Sequence, residues 1–216
     1  RALASYLRSL GGEIGTGRRI EHLHELPDAR VVLFDTSPEQ LSKIAGDALP
    51  PGYRRRLGRY RYGPGVFKLD WALDGPIPWK DPATARAGTV HIGGTYREVA
   101  TSEDAVARGR HADRPYVLLV QPTIADPSRA PQGKHVAWAY CHVPHGSSVN
   151  MTTTIESQVE RFAPGFRDLV LARATKDSVA MEAWDANYVG GDINGGIGDW
   201  RQLLFRPVVR WNPYTT

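Results

Sequence analysis

Cysteine is almost absent from this chain of 216 residues, since Cys141 is its single thiol. An internal disulfide and a CxxC metal knuckle are therefore excluded. Lysine is scarce as well, because five of the 27 basic side chains are Lys and the others are Arg. The formal net charge of +4 is mild for this length and gives no ground for a polyanionic partner.

Long apolar runs and a secretory leader are lacking too. No apolar stretch approaches the roughly 18 residues of a membrane-spanning helix, and residues 1–10 have a helical pattern instead of that of a signal peptide. With 41% hydrophobic residues and six Trp, the composition is that of a folded chain and not of a disordered one. We therefore expect a globular, cytoplasmic protein.

The common motifs of catalysis and phosphate binding are missing. The sequence has no GxSxG, no GxGxxG and no Walker loop. Cys141 and His142 are adjacent, but neighbours on a strand point to opposite faces, so a structural thiol is the favoured interpretation. The pairs His142-x-x-His145 and His22-x-His24 lack an accompanying carboxylate cluster. We assign no catalytic residue and expect no metal.

The first fifty residues predict half of an α/β unit. Residues 2–10 have the spacing of an amphipathic helix. Residues 19–23 indicate a short strand, and the apolar run over residues 31–34 is typical of a strand buried on both faces. Ser37 and the proline after it form a helix start, which predicts a helix over residues 40–45.

The remainder of the chain mixes strand and helix patterns. Residues 67–74 alternate between apolar and polar side chains, which predicts a half-buried strand. Residues 135–143 alternate as well, and their face of small side chains suits close packing of a helix or a ligand. Thr153-x-x-Glu156 has the pattern of a capping box at a helix start. Further strands are expected over residues 89–93, 116–121 and 174–180, and a further helix over residues 102–109. The apolar strand over residues 116–121 (YVLLVQ) is predicted to be buried. The pattern indicates an α+β sheet domain inserted into the α/β unit.

Residues 53–62 (YRRRLGRYRY) are the most basic stretch of the chain. One interpretation is a nucleic-acid patch with interleaved aromatic side chains. The other is a connecting helix whose Arg stems lie over the surface. We favour the connecting helix and expect no nucleic-acid partner, because no second basic cluster accompanies the first.

Residues 190–196 contain four Gly in seven positions, at a cost in backbone entropy on folding. Such a run is either a surface loop or a place where the backbone approaches a flat ligand closely. Composition alone does not separate these two interpretations.

Several long stretches of the chain resemble the phytoene desaturase family of flavin oxidoreductases. Residues 11–14, 19–23 and 29–38 are similar to the inner FAD-domain segment of that family. The stretches that resemble the substrate domain of its bacterial members are residues 62–73, 138–144 and 187–196. Residues 206–207 and 211–216 are similar to the approach to the final FAD motif.

This resemblance implies a fold class of α+β type. We expect a mixed-sheet substrate domain with helices over residues 51–210, and a partial α/β, Rossmann-like FAD-domain segment over residues 1–50. Residues 211–216 would then begin the return to the FAD domain. Since neither the GxGxxG unit nor the closing flavin motif of the family is present, we expect an internal fragment that is inactive alone and needs the longer parent to bind FAD.

The resemblance also implies residue roles. The main chain of Ile20 matches the position that pairs with the adenine edge of FAD, while Thr36 and Ser37 match the turn near the dinucleotide. The glycine-rich run matches the loop that faces the isoalloxazine and the substrate, which favours close ligand approach over a surface loop. Its candidate substrate-contacting residues are Gly190, Gly191, Asp192, Asn194 and Gly195.

Two functions are carried forward from the sequence. The first is an FAD-dependent dehydrogenase or desaturase that transfers hydride between flavin and an apolar polyene or lipid-like substrate. Such a substrate is compatible with peripheral contact with a membrane. The alternative is a non-catalytic module that binds a ligand or a protein.

Overall fold

The computed structural model describes residues 1–213, so the last three residues of the predicted return segment, 214–216, lie outside the described residues. Five antiparallel strands form one sheet in the order β2-β3-β4-β1-β5. The strands are β1 (Gly65–Leu73), β2 (Thr89–Ile92), β3 (Val117–Val120), β4 (His135–Val143) and β5 (Val170–Lys176). The helices are α1 (Ala2–Ser9), α2 (Pro38–Ala45), α3 (Pro51–Leu57), α4 (Tyr96–Ala107), α5 (Pro122–Ala125), α6 (Thr152–Phe162), α7 (Ser178–Trp184) and α8 (Trp200–Leu204).

One face of the sheet carries the hydrophobic core. The alternation predicted for β1 is confirmed, because Phe67, Leu69, Trp71 and Leu73 are all buried. The small face of β4 is the inner one, and its members Ala137, Ala139, Cys141 and Val143 are buried too. They share one core with Ile155 and Val159 of α6 and with Phe166. The small side chains therefore make room for a helix layer, as the pattern allowed.

The sheet departs from the sequence prediction in three details. The sheet was predicted to be mixed, but its pairings in the described part of the chain are antiparallel. β3 is buried on one face only, since Leu118 and Val120 are half-buried. The predicted strand over residues 174–180 starts earlier, at Val170, and ends at Lys176. It ends there because the Asp177 side chain accepts a hydrogen bond from the Ala180 amide (2.8 Å) and so starts α7.

The capping box predicted at Thr153 and Glu156 is wrong. Helix α6 begins one residue earlier, at Thr152, and it has no side-chain cap. Glu156 is only 5% exposed. Its Oε1 accepts from Trp71 Nε1 (3.0 Å) and from Arg173 Nε (2.5 Å). Tertiary partners on β1 and β5 thus replace the local backbone partner, because a buried carboxylate needs compensation by donors and a cation.

The first fifty residues have the predicted helices but not the predicted strands. Helix α1 and helix α2 are confirmed, and the Ser37 hydroxyl accepts from the Gln40 amide as expected of an N-cap (3.3 Å). Residues 19–23 and 31–34 form no strand, and Leu33 is 90% exposed. A strand of the buried parallel type needs neighbours on both edges and layers on both faces. Around residues 31–34 the described residues supply neither neighbouring strands nor covering layers, so a Rossmann-like arrangement is not confirmed.

The basic stretch contains the expected connecting helix. In α3, Tyr53 and Leu57 are buried beside Val208, while Arg54, Arg55 and Arg56 are exposed. The absence of a nucleic-acid partner stays a prediction. Among residues 1–213, no helix has both the length and the apolar composition needed to cross a membrane.

The Cys141 thiol is expected to be inert in the folded protein. Burial, with a further contribution from the Glu103 carboxylate, raises the pKa of Cys141 to about 12. At about pH 8 the reactive thiolate is therefore rare. Labelling with a thiol reagent should be slow in buffer and fast in denaturant, as followed by mass spectrometry. Rapid labelling of a protein that circular dichroism shows to be folded would contradict the assigned burial.

The Trp71–Glu156–Arg173 cluster is expected to stabilise the sheet against α6. Arg173→Ala leaves a buried carboxylate without its cation. Because the Arg173 side chain is 41% exposed, we expect the free energy of unfolding to fall by about 1–3 kcal/mol, which is below the range for fully buried pairs. Adding Glu156→Gln should recover part of that loss, since the amide keeps an acceptor for Trp71 but carries no charge. Urea unfolding of the two single variants and the double variant measures this coupling. Additive losses would show that the pair is not coupled.

Candidate functional site

The glycine-rich loop lies at the end of the sheet where β1 begins and β4 ends. Its centre is Asp192, which is fully buried. The Asp192 carboxylate accepts three backbone hydrogen bonds, from the amides of Gly63 (2.6 Å), Asn194 (2.7 Å) and Gly196 (2.8 Å). One carboxylate thus ties the loop to the chain that enters β1.

The glycines of the loop are required by packing against other side chains of the protein. A Cβ on Gly190, which has φ +59°, would lie 2.1 Å from the His145 ring. A Cβ on Gly191 would meet Ser178, and one on Gly196 would meet Tyr60. Because residues 189–192 are buried, this part of the run is not a surface loop. Contact between the run and a ligand stays a prediction.

The candidate cofactor residues are only partly brought to this loop. The Ser37 amide donates to Asn187 Oδ1 (2.8 Å), which places the start of α2 next to the segment that leads into the loop. Thr36 is exposed beside it. Ile20 is half-buried, and no hydrogen bond among residues 1–213 joins it to the loop.

The candidate substrate residues form one group. Gly190, Gly191 and Asp192 are buried, Gly195 is half-buried, and Asn194 is exposed. The Tyr60 hydroxyl donates to the Gly195 carbonyl, and the Tyr62 ring stacks on His145 with a centroid separation of 6.4 Å. Two tyrosines of the basic stretch therefore serve as supports of the loop.

Three histidines at the same end of the sheet are held by one hydrogen bond each. His142 Nδ1 lies 2.7 Å from Glu103 Oε2, and His111 Nε2 lies 2.7 Å from Ser147 Oγ. His145 Nδ1 lies 3.0 Å from the Gly63 carbonyl oxygen. Residues 1–213 contain no group of three His, Cys, Asp or Glu side chains placed to share a metal. The arrangement therefore provides oriented imidazoles and not a metal centre within the described chain.

The Glu103–His142 pair was missed by sequence reasoning. Its members are 39 positions apart, on α4 and β4, and no local pattern links them. The second oxygen of Glu103, Oε1, is buried and has no hydrogen-bond partner within residues 1–213. A buried acceptor without a donor costs about 1–3 kcal/mol, and core packing does not explain its presence here.

The outer face of the sheet forms a half-buried aromatic wall beside this pair. In the strand register, Tyr140 lies between Leu118 and Lys68, and Trp138 lies between Val120 and Asp70. The side of the wall on β3 and β4 is apolar and aromatic, while Lys68 and Asp70 form an ion pair on β1. The helix layer is on the opposite face, so this wall is free of the main core.

The phenols at the site remain neutral at physiological pH. Burial is the main cause that raises the pKa of Tyr140, with contributions from Tyr116 and Glu103. Burial likewise raises the pKa of Tyr60 and of Tyr62. These groups are therefore neutral hydroxyls and not phenolates: the Tyr60 hydroxyl donates to the Gly195 carbonyl, and the Tyr62 hydroxyl accepts from the Glu39 amide (3.1 Å).

Gly190→Ala should destabilise the loop, whereas Gly198→Ala should not. Alanine at φ +59° costs about 1–2 kcal/mol in backbone strain, and its Cβ would also push the His145 ring off the Gly63 carbonyl. Gly198 has open space around its Cα and no positive φ, so its alanine variant is the matched control. Urea unfolding and the His145 ring signals in NMR spectra measure both effects. An unchanged His145 signal in Gly190→Ala would contradict the assigned contact.

Two known proteins are similar to this chain over most of its length. No protein-family model matches it. Over 185 residues it is 28% identical to a phytoene dehydrogenase from Streptomyces griseus, which covers 80% of this chain and 33% of that protein. A crystal structure of an oxidoreductase from Methanosarcina mazei superposes with a TM-score of 0.55 at 19% identity, covering 82% of this chain and 40% of that one.

The structural likeness shows a shared fold. The sequence likeness shows that the chain is similar to part of a phytoene dehydrogenase. The chain spans about a third of the length of the phytoene dehydrogenase that it matches. The resemblance drawn from the sequence is thereby confirmed as a similarity, over most of this chain, to a phytoene dehydrogenase.

Proposed function

We propose that the protein acts as an FAD-dependent oxidoreductase that transfers hydride between flavin and an apolar polyene or lipid-like substrate. The described residues would supply the substrate side of the site. The observation that carries this proposal is the aromatic wall on the outer face of the sheet, which ends at the glycine-rich loop. The likeness to a phytoene dehydrogenase supports the same class of substrate.

The wall suits an extended apolar molecule for a physical reason. Trp138 and Tyr140 follow each other on one face of β4, with ring centroids 6.5 Å apart and nearly parallel planes. With Leu118 and Val120 beside them, they present a flat strip on which a polyene can lie. Burial of apolar surface contributes roughly 25 cal/mol per Å² and needs no polar groups on the ligand. The polar groups lie at the margins of the strip: Lys68 and Asp70 along its β1 edge, with Lys68 Nζ 5.5 Å from the Trp138 ring centroid, and His142 with Glu103 at one end.

The glycine-rich loop suits a fixed boundary of such a site. Three amides held by Asp192 and the ring of His145 against Gly190 leave the loop little freedom to move. A rigid backbone is what close approach to a flat cofactor requires. A flavin supplies the hydride acceptor when it is bound, and the protein orients the partners.

The described residues fit only part of an FAD molecule. The peptide groups of half-buried Ile20 have no hydrogen-bond partner within residues 1–213, so they are available to an adenine edge. The Ser37 amide and hydroxyl are both engaged inside the chain, and no glycine-rich phosphate loop is present in the sequence. The described part therefore does not form a complete dinucleotide site.

The substrate side can be tested directly with a long-chain polyene hydrocarbon. Trp138→Glu places a charge in the centre of the strip, so we expect at least a tenfold loss in affinity, or about 1.4 kcal/mol. Binding is followed by the visible absorbance of the polyene that remains with the protein after gel filtration. Trp211→Glu is the matched control, because Trp211 is 99% exposed and lies outside the wall.

Equal retention of the polyene by Trp138→Glu and the parent protein would contradict the wall as the binding surface. The flavin side has its own test, the visible spectrum of the protein purified from its native source. A colourless protein that takes up no FAD would refute the oxidoreductase proposal. Retention of polyene by such a protein would leave the non-catalytic binding module as the better function.

A further inference from the structure

A cleft beside α4 shares no lining residue with the aromatic wall or the glycine-rich loop. It has a volume of about 540 Å³ and runs between α4 and the segment 110–114 that returns along it. This volume is within the range of small-molecule sites, roughly 300–1,000 Å³. Neither the sequence motifs nor the resemblance assigns a role to it.

The cleft contains two guanidinium groups without a partner in the described part of the chain. Its lining includes Arg97, Arg110 and Arg114. Among residues 1–213, the guanidinium groups of Arg97 and Arg110 have no ion-pair or hydrogen-bond partner. A planar guanidinium with five unused donors matches the oxygen atoms of a phosphate group.

The carboxylates of the cleft do not bind these two guanidinium groups. Glu98 is bound by Arg161 of α6 at 2.8 Å and also lies 3.4 Å from Arg114. Asp104 is paired with Arg108 at 3.0 Å. The third carboxylate, Asp113, is exposed and has no partner among the described residues. The lining thus has three guanidinium groups and three carboxylates, but Glu98 and Asp104 are also bound by Arg161 and Arg108 from outside it, so the lining together with these partners carries two more positive than negative charges.

A buried donor is aimed at the same cleft. Ser102 lines it and is only 4% exposed. The Ser102 Oγ accepts from the Tyr116 amide (2.9 Å), but its hydroxyl hydrogen has no acceptor within residues 1–213. A buried hydroxyl normally uses its donor, so an acceptor is missing at this point. His111 also lines the cleft, and its ring is fixed by Ser147.

We propose that this cleft binds the phosphate group of a small phosphorylated molecule. Arg97 and Arg110 would bind the phosphate oxygens, and Ser102 would donate its unused hydrogen to one of them. The aliphatic side chains of Ala105 and Ala112 line the cleft as well, and they suit an organic substituent of the phosphate. This inference is independent of the proposed oxidoreductase function, because no residue of the wall or of the glycine-rich loop lines the cleft.

The first test is a titration of the ¹⁵N-labelled chain with inorganic phosphate at constant ionic strength, with chloride as the balancing anion. We expect saturable shifts of the Ser102, Thr101 and Ala112 amide signals. Arg97→Gln and Arg110→Gln should each weaken the binding roughly tenfold, which corresponds to the loss of one charge-assisted hydrogen bond. Arg55→Gln is the control, since Arg55 is an exposed arginine of α3 that does not line this cleft, and its replacement removes the same charge.

A second arm distinguishes a free phosphate ester from a lipid headgroup. The chain is sedimented with phosphatidylcholine vesicles, with and without phosphatidic acid, at the same salt concentration. A lipid headgroup would be the source of the phosphate if the chain binds only vesicles that contain phosphatidic acid and if Arg110→Gln abolishes that binding. The proposal is overturned when neither probe binds, or when Arg55→Gln weakens binding as much as the two cleft variants do.

Discussion

The antiparallel pairing of β1 with β4 is the constraint on which the rest of the structure depends. It joins nine residues of one strand to nine of the other, from Gly65 opposite Val143 to Leu73 opposite His135. Because side chains alternate between faces, this single register decides which residues meet α6 and which form the outer wall. A shift by one residue would exchange Cys141 for His142 in the core. The same pairing brings the start of β1 and the end of β4 together, which is where the glycine-rich loop closes.

That closure depends on one buried charge. Asp192 has no cation among its hydrogen-bond partners, and its carboxylate is compensated by the three backbone amides. Amides are fixed dipoles, so they hold the carboxylate only if the backbone of all three segments keeps its place. The glycines follow from this requirement, because His145, Ser178 and Tyr60 already fill the space in which their Cβ atoms would lie. The loop is thus rigid through its charge and its packing together.

Periodic local patterns could be predicted from the sequence, and patterns that need a distant partner could not. The strand alternation around Leu69 and the N-cap at Ser37 use neighbours within a few residues, and both are confirmed. The local pattern around Glu156 predicted a capping box, but its carboxylate binds Trp71 and Arg173, which are 85 and 17 positions away. Burial made these tertiary contacts stronger than a cap.

The apolar run at residues 31–34 shows a different limit. Its composition indicates that it would be stable when covered, but composition does not say what covers it. In the described chain Leu33 remains exposed, and residues 1–36 contribute no buried side chain. The Glu103–His142 pair and the cleft beside α4 were beyond sequence reasoning for a related reason. Each joins segments whose approach is decided by the sheet and not by any local spacing.

Helix α4 connects the parts of the molecule that carry polar chemistry. Its Glu98 is bound by Arg161 of α6, in the layer that covers the core, and its Glu103 is bound to His142 at the end of the outer wall. Ser102 and Ala105, on the same face of the helix as Glu98, line the basic cleft. A helix held on two faces, by the Glu98–Arg161 ion pair and by the Glu103–His142 hydrogen bond, has one position and not several. The geometry of the cleft and the orientation of His142 therefore depend on the same element, and a change that tilts α4 would alter both.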